Sequence, residues 1–198
     1  MKSNAPEKPW DVSIAQFFVK KLARIHLITP NHITLLRLIF AISSIVLLAN
    51  SNFFVGSFLF TIANFLDHVD GELARFTKTN SQFGHWFDLA TDAFTIIGVF
   101  LAIGFGLSKI NSTWFMVCGM VSAISVCIIF LIRNKIEQSF GKAETKQKSF
   151  YGFESEDILY FLPLLAITDT LTYFLILSSC GAPIGALLTF LKYKKREQ

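Results

Sequence analysis

The chain has 198 residues, of which 53% are hydrophobic and only 16% are charged. Because soluble domains carry about 25% charged residues, this composition argues against a soluble domain, and we expect no nucleic-acid partner. Several apolar runs approach the roughly 20 residues that cross a bilayer as a helix. We therefore predict an all-α integral membrane protein that is surrounded by membrane lipid.

The first predicted element, residues 10–26, is an amphipathic helix. Its apolar side chains share one helical face: Trp10, Ile14, Phe17, Phe18, Leu22 and Ile25. Lys20, Lys21 and Arg24 lie elsewhere on the helix. This pattern is typical of a helix that lies in the membrane interface, although packing against the rest of the protein explains it equally well. We assign residues 1–29 to this interfacial unit.

Six transmembrane segments are predicted to follow the interfacial helix, separated by polar turns and loops. They are residues 32–49, 53–75, 82–107, 113–134, 157–167 and 171–191. They form one membrane domain, residues 30–192, and a basic cytoplasmic tail, residues 193–198, follows it. With the N-terminus inside, all of the 18 Lys and Arg residues except Lys109 lie at or near the cytoplasmic ends. This positive-inside pattern predicts a multi-pass protein with its site on the cytoplasmic side, in the inner membrane if bacterial.

The first transmembrane segment carries polar side chains near its cytoplasmic end. Asn31, Thr34 and Arg37 are three residues apart, so they share part of one helical face. Such groups either hold helices together or contact a polar ligand near the membrane surface. The spacing alone favours the contact between helices.

Four carboxylates lie at the predicted cytoplasmic ends of the second and third segments: Asp67, Asp70, Asp88 and Asp92. The first two are three residues apart and the last two are four apart, so each pair shares one helical face. We expect the two segments to be antiparallel neighbours whose acidic faces meet. A carboxylate inside a membrane segment is costly, and by default it marks a functional site.

The ligand chemistry of these carboxylates favours Mg²⁺, Mn²⁺ or Ca²⁺ over zinc, because all the donors are hard oxygen atoms. Four carboxylates suffice to bridge two ions, an arrangement used in chemistry on phosphates. Gly71, Ala74 and Gly84 on the same faces would let the backbones approach or leave room for a ligand. Intramembrane acids also occur in cation transporters, so the spacing alone leaves an enzyme and a transporter equally open.

The two acidic segments together form one pattern: Asp67-x2-Asp70-Gly71-x2-Ala74-Arg75-x8-Gly84-x3-Asp88-x3-Asp92. This pattern resembles the signature of the CDP-alcohol phosphatidyltransferase family, with every position present. The stretch from Pro30 to Arg37 is similar to the first helix of that family. The resemblance is close over residues 30–92, and beyond them it rests on chain length and on the number of segments.

The resemblance implies a phospholipid-synthesising membrane enzyme with six helices, usually a homodimer. Such an enzyme moves a phosphatidyl or phospho-alcohol group from a CDP-alcohol to the hydroxyl of a polar acceptor and releases CMP. CDP-diacylglycerol is the CDP-alcohol that we expect here. The resemblance also implies that Asp67, Asp70 and Asp88 bind Mg²⁺ or Mn²⁺, with two ions expected. Asp92 would touch the same metal site and act as the general base.

The resemblance further implies that Gly71, Ala74 and Arg75 border the cytidine diphosphate, with Asn31 and Thr34 as weaker contacts. Two other positions bear on the acceptor. Arg133 ends the fourth segment on the same side, where it either binds a phosphate on the acceptor or anchors the helix at the interface. Relatives that use glycerophosphate continue the last Asp of the signature with Lys, and those that use inositol phosphate continue it with Arg. Ala93 stands at that position here, so neither acceptor is predicted.

Two alternatives to a CDP-alcohol phosphatidyltransferase remain. A membrane prenyltransferase also handles a diphosphate with intramembrane aspartates and Mg²⁺, but its fold needs more segments than this length supplies. A non-enzymatic divalent-cation transporter would need carboxylates through the whole bilayer, and here they are clustered at one end.

Overall fold

The computed structural model describes residues 10–23, 29–79, 81–141 and 155–197, which form helices joined by short turns. The α-helices in these ranges are α1 Trp10–Leu22, α2 Pro30–Ala49, α3 Phe53–Thr77, α4 Gln82–Ile110, α5 Trp114–Phe140, α6 Leu162–Ile167 and α7 Leu171–Glu197. A 3₁₀ segment, Ser155–Phe161, leads directly into α6. The prediction of an all-α fold is confirmed over these described ranges.

Four of the described helices, α2, α4, α5 and α7, are long and apolar enough to cross a membrane. Helix α3 is also long, with 25 residues, but Asp67, His68 and Asp70 make its second half polar. The apolar segment Ile158–Ile167 is shorter than a helix that crosses a bilayer. Several apolar helices thus indicate a multi-pass membrane protein, and the count of six transmembrane segments stays a prediction.

The helix bounds differ from the predicted ones mainly at the C-terminal ends of α5 and α7. Helix α5 continues to Phe140 and α7 to Glu197, whereas the sequence predicts a loop from residue 135 and a tail from residue 193. Lys, Glu, Gln and Arg are good helix formers, so the helices continue beyond the apolar runs that revealed them. The last residues of the predicted amphipathic helix and most of the predicted loop, residues 24–28 and 142–154, lie outside the described ranges.

Helix α2 begins at Pro30, two residues before the predicted start. Proline suits the first helical turn because its fixed φ is helical and its missing N–H needs no partner there. The backbone N–H of Thr29 donates to Nδ1 of His32 at 3.2 Å, which reinforces the start of the helix. This helix start fixes where Asn31, Thr34 and Arg37 lie relative to the acidic residues.

Helix α2 packs against both α3 and α4, which make few direct contacts with each other. The expectation that α3 and α4 pack as antiparallel neighbours is therefore wrong for most of their length. The reason is the position of the glycines: a Cβ on Gly56 of α3 would lie 2.7 Å from Leu48 of α2. Gly98 and Gly106 of α4 likewise face Ile45 and Leu48 of α2. Both helices thus approach α2 closely, and α2 lies between them.

The far halves of these helices share an apolar core with α5, α6 and α7. Its buried members include Leu48, Phe60, Val99, Ile103, Leu107, Leu162 and Leu175. A second, smaller core attaches α1 to α3 beside the acidic residues; it contains Ala15, Val19, Ile33, Val69 and Leu73. The acidic residues thus lie between a large apolar core on one side and the docked helix α1 on the other.

Candidate active site

The first half of the site is the C-terminal part of α3. Asp67 and Asp70 follow the apolar half of the helix, and their side chains differ in exposure. The side chain of Asp70 is 4% exposed, whereas that of Asp67 is 32% exposed. Asp70 therefore lies at the buried wall of the site and Asp67 at its open side.

The second half of the site is the N-terminal part of α4. Ser81 caps this helix by accepting a hydrogen bond from the backbone N–H of Gly84 at 3.0 Å, as serine does at many helix starts. Asp88 and Asp92 follow one and two turns later, with side chains 39% and 37% exposed. The cap thus sets the helix start from which both carboxylates are positioned.

The two halves meet, as the sequence predicts. One carboxylate oxygen from each of Asp67, Asp70 and Asp88 lies within 4.8 Å of the others, and these three form the only such group among the described residues. Hard oxygen donors at this separation suit Mg²⁺ or Mn²⁺. Asp92 belongs to the same site but not to this group of three.

Arg37 of α2 contacts all four carboxylates. Its Nη1 atom contacts Asp67 Oδ1 and lies 3.0 Å from Asp88 Oδ1 and 3.7 Å from Asp70 Oδ2. Its Nη2 atom lies 3.1 Å from Asp92 Oδ1. The guanidinium is 2% exposed, so it is a buried positive charge between the two acidic helices. The spacing in the sequence predicts a contact between helices for Arg37 and does not assign this residue to the site.

Thr34 and Asn31 of α2 also lie beside the acidic residues, where they make different contacts. The Thr34 hydroxyl donates to Asp70 Oδ2 at 2.8 Å and is buried. Thr34 thus contacts Asp70, a potential metal ligand, directly. Asn31 Oδ1 lies beside Gly84, 3.0 Å from where a Cβ on that glycine would be. Gly84 therefore lets the start of α4 approach the start of α2.

The remaining signature residues of α3 lie near its C-terminal end. Gly71 and Ala74 are partly buried, and Arg75 is exposed. Arg75 Nε donates to the carbonyl of Gly71 at 3.1 Å, and Arg75 Nη1 lies 2.9 Å from Glu72 Oε1. The guanidinium is thus held over Gly71 near the C-terminal end of α3.

A cavity of about 550 Å³ opens from the acidic residues toward α5. Its polar lining comprises Arg37, Asn64, Asp67, His85, Asp88, Asp92, Thr95, Arg133, Asn134 and Glu137. Phe60, Ile129 and Phe130 contribute to its apolar wall. Arg133 therefore lines the same cavity as the carboxylates, as an acceptor contact would require. Asn134 and Glu137 were missed by the sequence analysis because they lie in the predicted loop or at its boundary.

Comparison with known proteins gives a family and a fold. The sequence model of the CDP-alcohol phosphatidyltransferase family matches residues 27–190. A crystal structure of Mycobacterium tuberculosis phosphatidylinositol phosphate synthase with CDP-DAG bound superimposes with a TM-score of 0.71, 17% identity and 93% coverage of both chains. The apo form of that protein gives 0.63, 18% identity, and coverage of 87% of this chain and 93% of that one. No curated protein matches this chain by sequence comparison.

Proposed function

Because the chain belongs to the CDP-alcohol phosphatidyltransferase family, we propose that it transfers a phosphatidyl group from a CDP-alcohol to the hydroxyl of a polar acceptor and releases CMP. CDP-diacylglycerol is the donor we favour, since the structurally similar mycobacterial protein was crystallised with it. The observation that carries the proposal is the convergence of Asp67, Asp70 and Asp88 within 4.8 Å. Two halves of one signature, on separate helices, supply that cluster.

The donor set of the site fits the divalent metal that the family uses. Asp67, Asp70 and Asp88 would hold it through hard carboxylate oxygens, and Asp92 borders them from the next turn of α4. Mg²⁺ or Mn²⁺, two ions in our proposal, would neutralise charge on the diphosphate and on the departing CMP. The four-carboxylate ligand set remains a proposal, since Asp92 lies outside the group of three.

Asp92 is the general base in this proposal. Its carboxylate faces the cavity, and Arg37 Nη2 holds one of its oxygens at 3.1 Å. Asp92 accepts the proton of the acceptor hydroxyl while the hydroxyl oxygen forms its bond to the phosphorus on the alcohol side. The bond from that phosphorus to the CMP oxygen breaks, and CMP leaves with the electron pair. The base works through its position close to the hydroxyl.

The donor and the acceptor occupy different sides of the carboxylates in this proposal. Gly71, Ala74 and Arg75 border the cytidine diphosphate at the cytoplasmic end of α3, and Asn31 and Thr34 reach it from α2. The acceptor enters the cavity, where Arg133, Asn134 and Glu137 form a polar end. Arg133 is the residue we assign to a negatively charged group on the acceptor.

The membrane arrangement completes the proposal. Six segments cross the bilayer: α2 to α5, the segment from residue 158 to residue 167, and α7. Helix α1 lies in the interface with Phe17 and Phe18 exposed to lipid. The positive-inside pattern places the site on the cytoplasmic side, at the inner membrane if bacterial. A homodimer is the assembly that we propose by analogy with the family.

The test is CMP release by the purified full-length protein with CDP-diacylglycerol and Mn²⁺ or Mg²⁺. Serine, inositol, inositol phosphate, glycerol 3-phosphate and choline are added separately. We expect CMP release that depends on one acceptor and on the metal, and we expect Asp92→Asn to abolish it with Mn²⁺ binding retained. Asp169→Asn is the matched control, because Asp169 is an exposed aspartate between α6 and α7 with a φ of 53° that asparagine adopts readily.

Two results would contradict the proposal. Near-normal turnover by Asp92→Asn would show that another group is the base. Absence of CMP release with every acceptor, and with other CDP-linked donors, would show that the chain does not catalyse this transfer, and cation flux in liposomes would be the next measurement.

A further inference from the structure

A chain of polar contacts links helix α1 to Arg75. Gln16 of α1 donates from Nε2 to Oε2 of Glu72 at 2.8 Å. The other carboxylate oxygen of Glu72, Oε1, lies 2.9 Å from Arg75 Nη1. One carboxylate thus bridges a side chain of the interfacial helix and the arginine of the signature.

Glu72 lies inside the signature but outside the acidic cluster. It follows Asp70 by two residues, a rotation of about 200° around an α-helix of 3.6 residues per turn, so it faces away from the other carboxylates. It is buried, with 9% of its surface exposed. A buried carboxylate needs partners for its charge, and Gln16 and Arg75 each contact one of its oxygens.

The position of Arg75 depends on these contacts. Its side chain is 67% exposed, and an exposed ion pair adds little to the free energy of unfolding, about 0–1 kcal/mol. The contact to Glu72 therefore acts mainly on the direction of the guanidinium. Together with the hydrogen bond from Arg75 Nε to the Gly71 carbonyl, it keeps Nη2 over Gly71, 3.3 Å from where a Cβ would lie.

Helix α1 is held firmly enough to act on Glu72. Ala15 and Val19 are buried against Val69 and Leu73 of α3. The ring of Phe18 also packs edge-on against Phe65, with centroids 5.8 Å apart. Gln16 follows Ala15 directly, so the apolar contact fixes its distance from Glu72. The position of α1 therefore affects the site through one side chain, that of Gln16.

We propose that Gln16 and Glu72 are positioning residues, which orient Arg75 toward the diphosphate of the nucleotide donor. The docked helix α1 thereby sets the affinity of the site for the nucleotide. This inference rests on the proposed function, because Arg75 is assigned to the nucleotide there. It adds two residues that are not fixed positions of the family signature: Glu72 at a variable position within it, and Gln16 in a different helix.

The test is calorimetric binding of CDP, with saturating Mn²⁺, to the full-length protein in detergent. We expect Arg75→Ala to weaken binding by about 10-fold or more, as for a lost charge-assisted hydrogen bond. We expect Glu72→Gln and Gln16→Met to weaken it by about 3-fold each. Gln16→Met changes no charge, so its effect reports orientation alone. Glu72→Gln removes a negative charge near an anionic ligand, which by itself would strengthen binding.

A double-mutant cycle separates positioning from a general loss of structure. The double variant that carries Glu72→Gln and Arg75→Ala should bind CDP no more weakly than Arg75→Ala alone. Both substitutions remove the same contact, the one between Glu72 and Arg75, so their effects should not add. In turnover assays, Gln16→Met should raise KM for the CDP-alcohol and leave kcat unchanged. Gln138→Met is the matched control, since Gln138 is exposed on α5 and its hydrogen bond is to Asn134 of the same helix.

Several outcomes overturn the inference. Unchanged CDP affinity in Gln16→Met would show that Gln16 does not orient Arg75, and additive effects in the cycle would show that Glu72 does not act through Arg75. If Gln16→Met fails to fold, the cycle of Glu72 and Arg75 still decides the role of the carboxylate. If the unmodified protein does not bind CDP, the proposed function itself fails. If the unmodified protein binds CDP but Glu72 shows no coupling to Arg75, only the positioning role is overturned.

Discussion

The two ends of the helix group α2–α5 are held together by different forces. At the site end, Arg37 lies among four carboxylates, and Thr34 donates to one of them. At the opposite end, glycines bring backbones together: a Cβ on Gly104 of α4 would lie 2.8 Å from the Cα of Gly119 of α5. One end is joined by charge and hydrogen bonds, and the other by close apolar packing.

This difference shows how a rigid frame can carry an adaptable site. Close-packed apolar contacts have few alternative arrangements, so the far end fixes the directions of the helices. Charged side chains can exchange one partner for another of the same sign, such as a guanidinium for a divalent cation. The site end can therefore accept a ligand without a change in the packing of the far end.

The largest expected effect is that of Arg37→Met. Breaking a buried ion pair from one side costs about 3–5 kcal/mol, and here four carboxylates lose their common cation. We expect the variant to unfold at a lower temperature without metal and to gain more from Mn²⁺ than the unmodified protein does. Thermal unfolding in detergent, with and without Mn²⁺, measures both effects.

Lys109→Met is the control for Arg37→Met. Lys109 is an exposed cation at the far end of α4, where it lies over the ring of Phe105, so its removal should change the unfolding temperature little. An equal Mn²⁺ effect in Arg37→Met and in the unmodified protein would contradict the assignment of Arg37 as the counter-charge of the carboxylates.

The next effect tests the apolar end. Gly104→Ala places a Cβ against the backbone of Phe115 and Gly119, which cannot move aside as a flexible side chain can. We expect a loss of about 1–3 kcal/mol in the free energy of unfolding. The Mn²⁺ effect on the unfolding temperature should stay that of the unmodified protein. Gly181→Ala, where a Cβ meets nothing within 4 Å, should show no loss, and equal losses in both variants would contradict the packing argument.

The smallest effect concerns the hydrogen bond that supports Asp70. Thr34→Val removes the hydroxyl and keeps the shape, and loss of such a partner weakens metal binding by about 10-fold. We expect weaker Mn²⁺ binding by calorimetry and, because Thr34 is also assigned a contact with the cytidine diphosphate, a KM for the nucleotide donor that stays raised at saturating Mn²⁺. The control is Thr61→Val, whose hydroxyl donates only to the Ser57 carbonyl of its own helix among the contacts described. A normal KM at saturating Mn²⁺ would remove Thr34 from the nucleotide contacts and leave it only the hydrogen bond to Asp70.

The part of the fold that sequence predicts follows from local periodicity. Apolar runs located every long helix, and the spacing of Asp67, Asp70 and Asp88 predicted that their carboxylates would meet, as they do. Each apolar run lies within a single helix, and the three aspartates lie on two helices joined by a short link. The same reasoning predicts that the site lies where the C-terminal part of α3 meets the N-terminal part of α4, and its cytoplasmic side stays a prediction.

The role of Arg37 could not be predicted in the same way. The spacing within α2 shows which residues share a face, but not which helices that face meets. The position of α2 between α3 and α4 depends on Gly56, Gly98 and Gly106, whose effect is visible only once the helices are packed. The contact from Gln16 to Glu72 likewise joins residues 56 positions apart, a distance that no periodic pattern spans.

The location of Arg37 has a consequence for how the protein is made. Synthesis and membrane insertion proceed from the N-terminus, and α2 precedes both acidic helices in the chain. An aspartate costs up to about 2.5–3.5 kcal/mol to insert when it lies at the centre of a transmembrane helix, and less near a helix end, where these four lie. Because Arg37 is synthesised before Asp67 and Asp70, and before Asp88 and Asp92, we expect each acidic helix to enter the membrane beside its counter-charge. The helix that carries the counter-charge thus precedes both acidic helices in the order of synthesis.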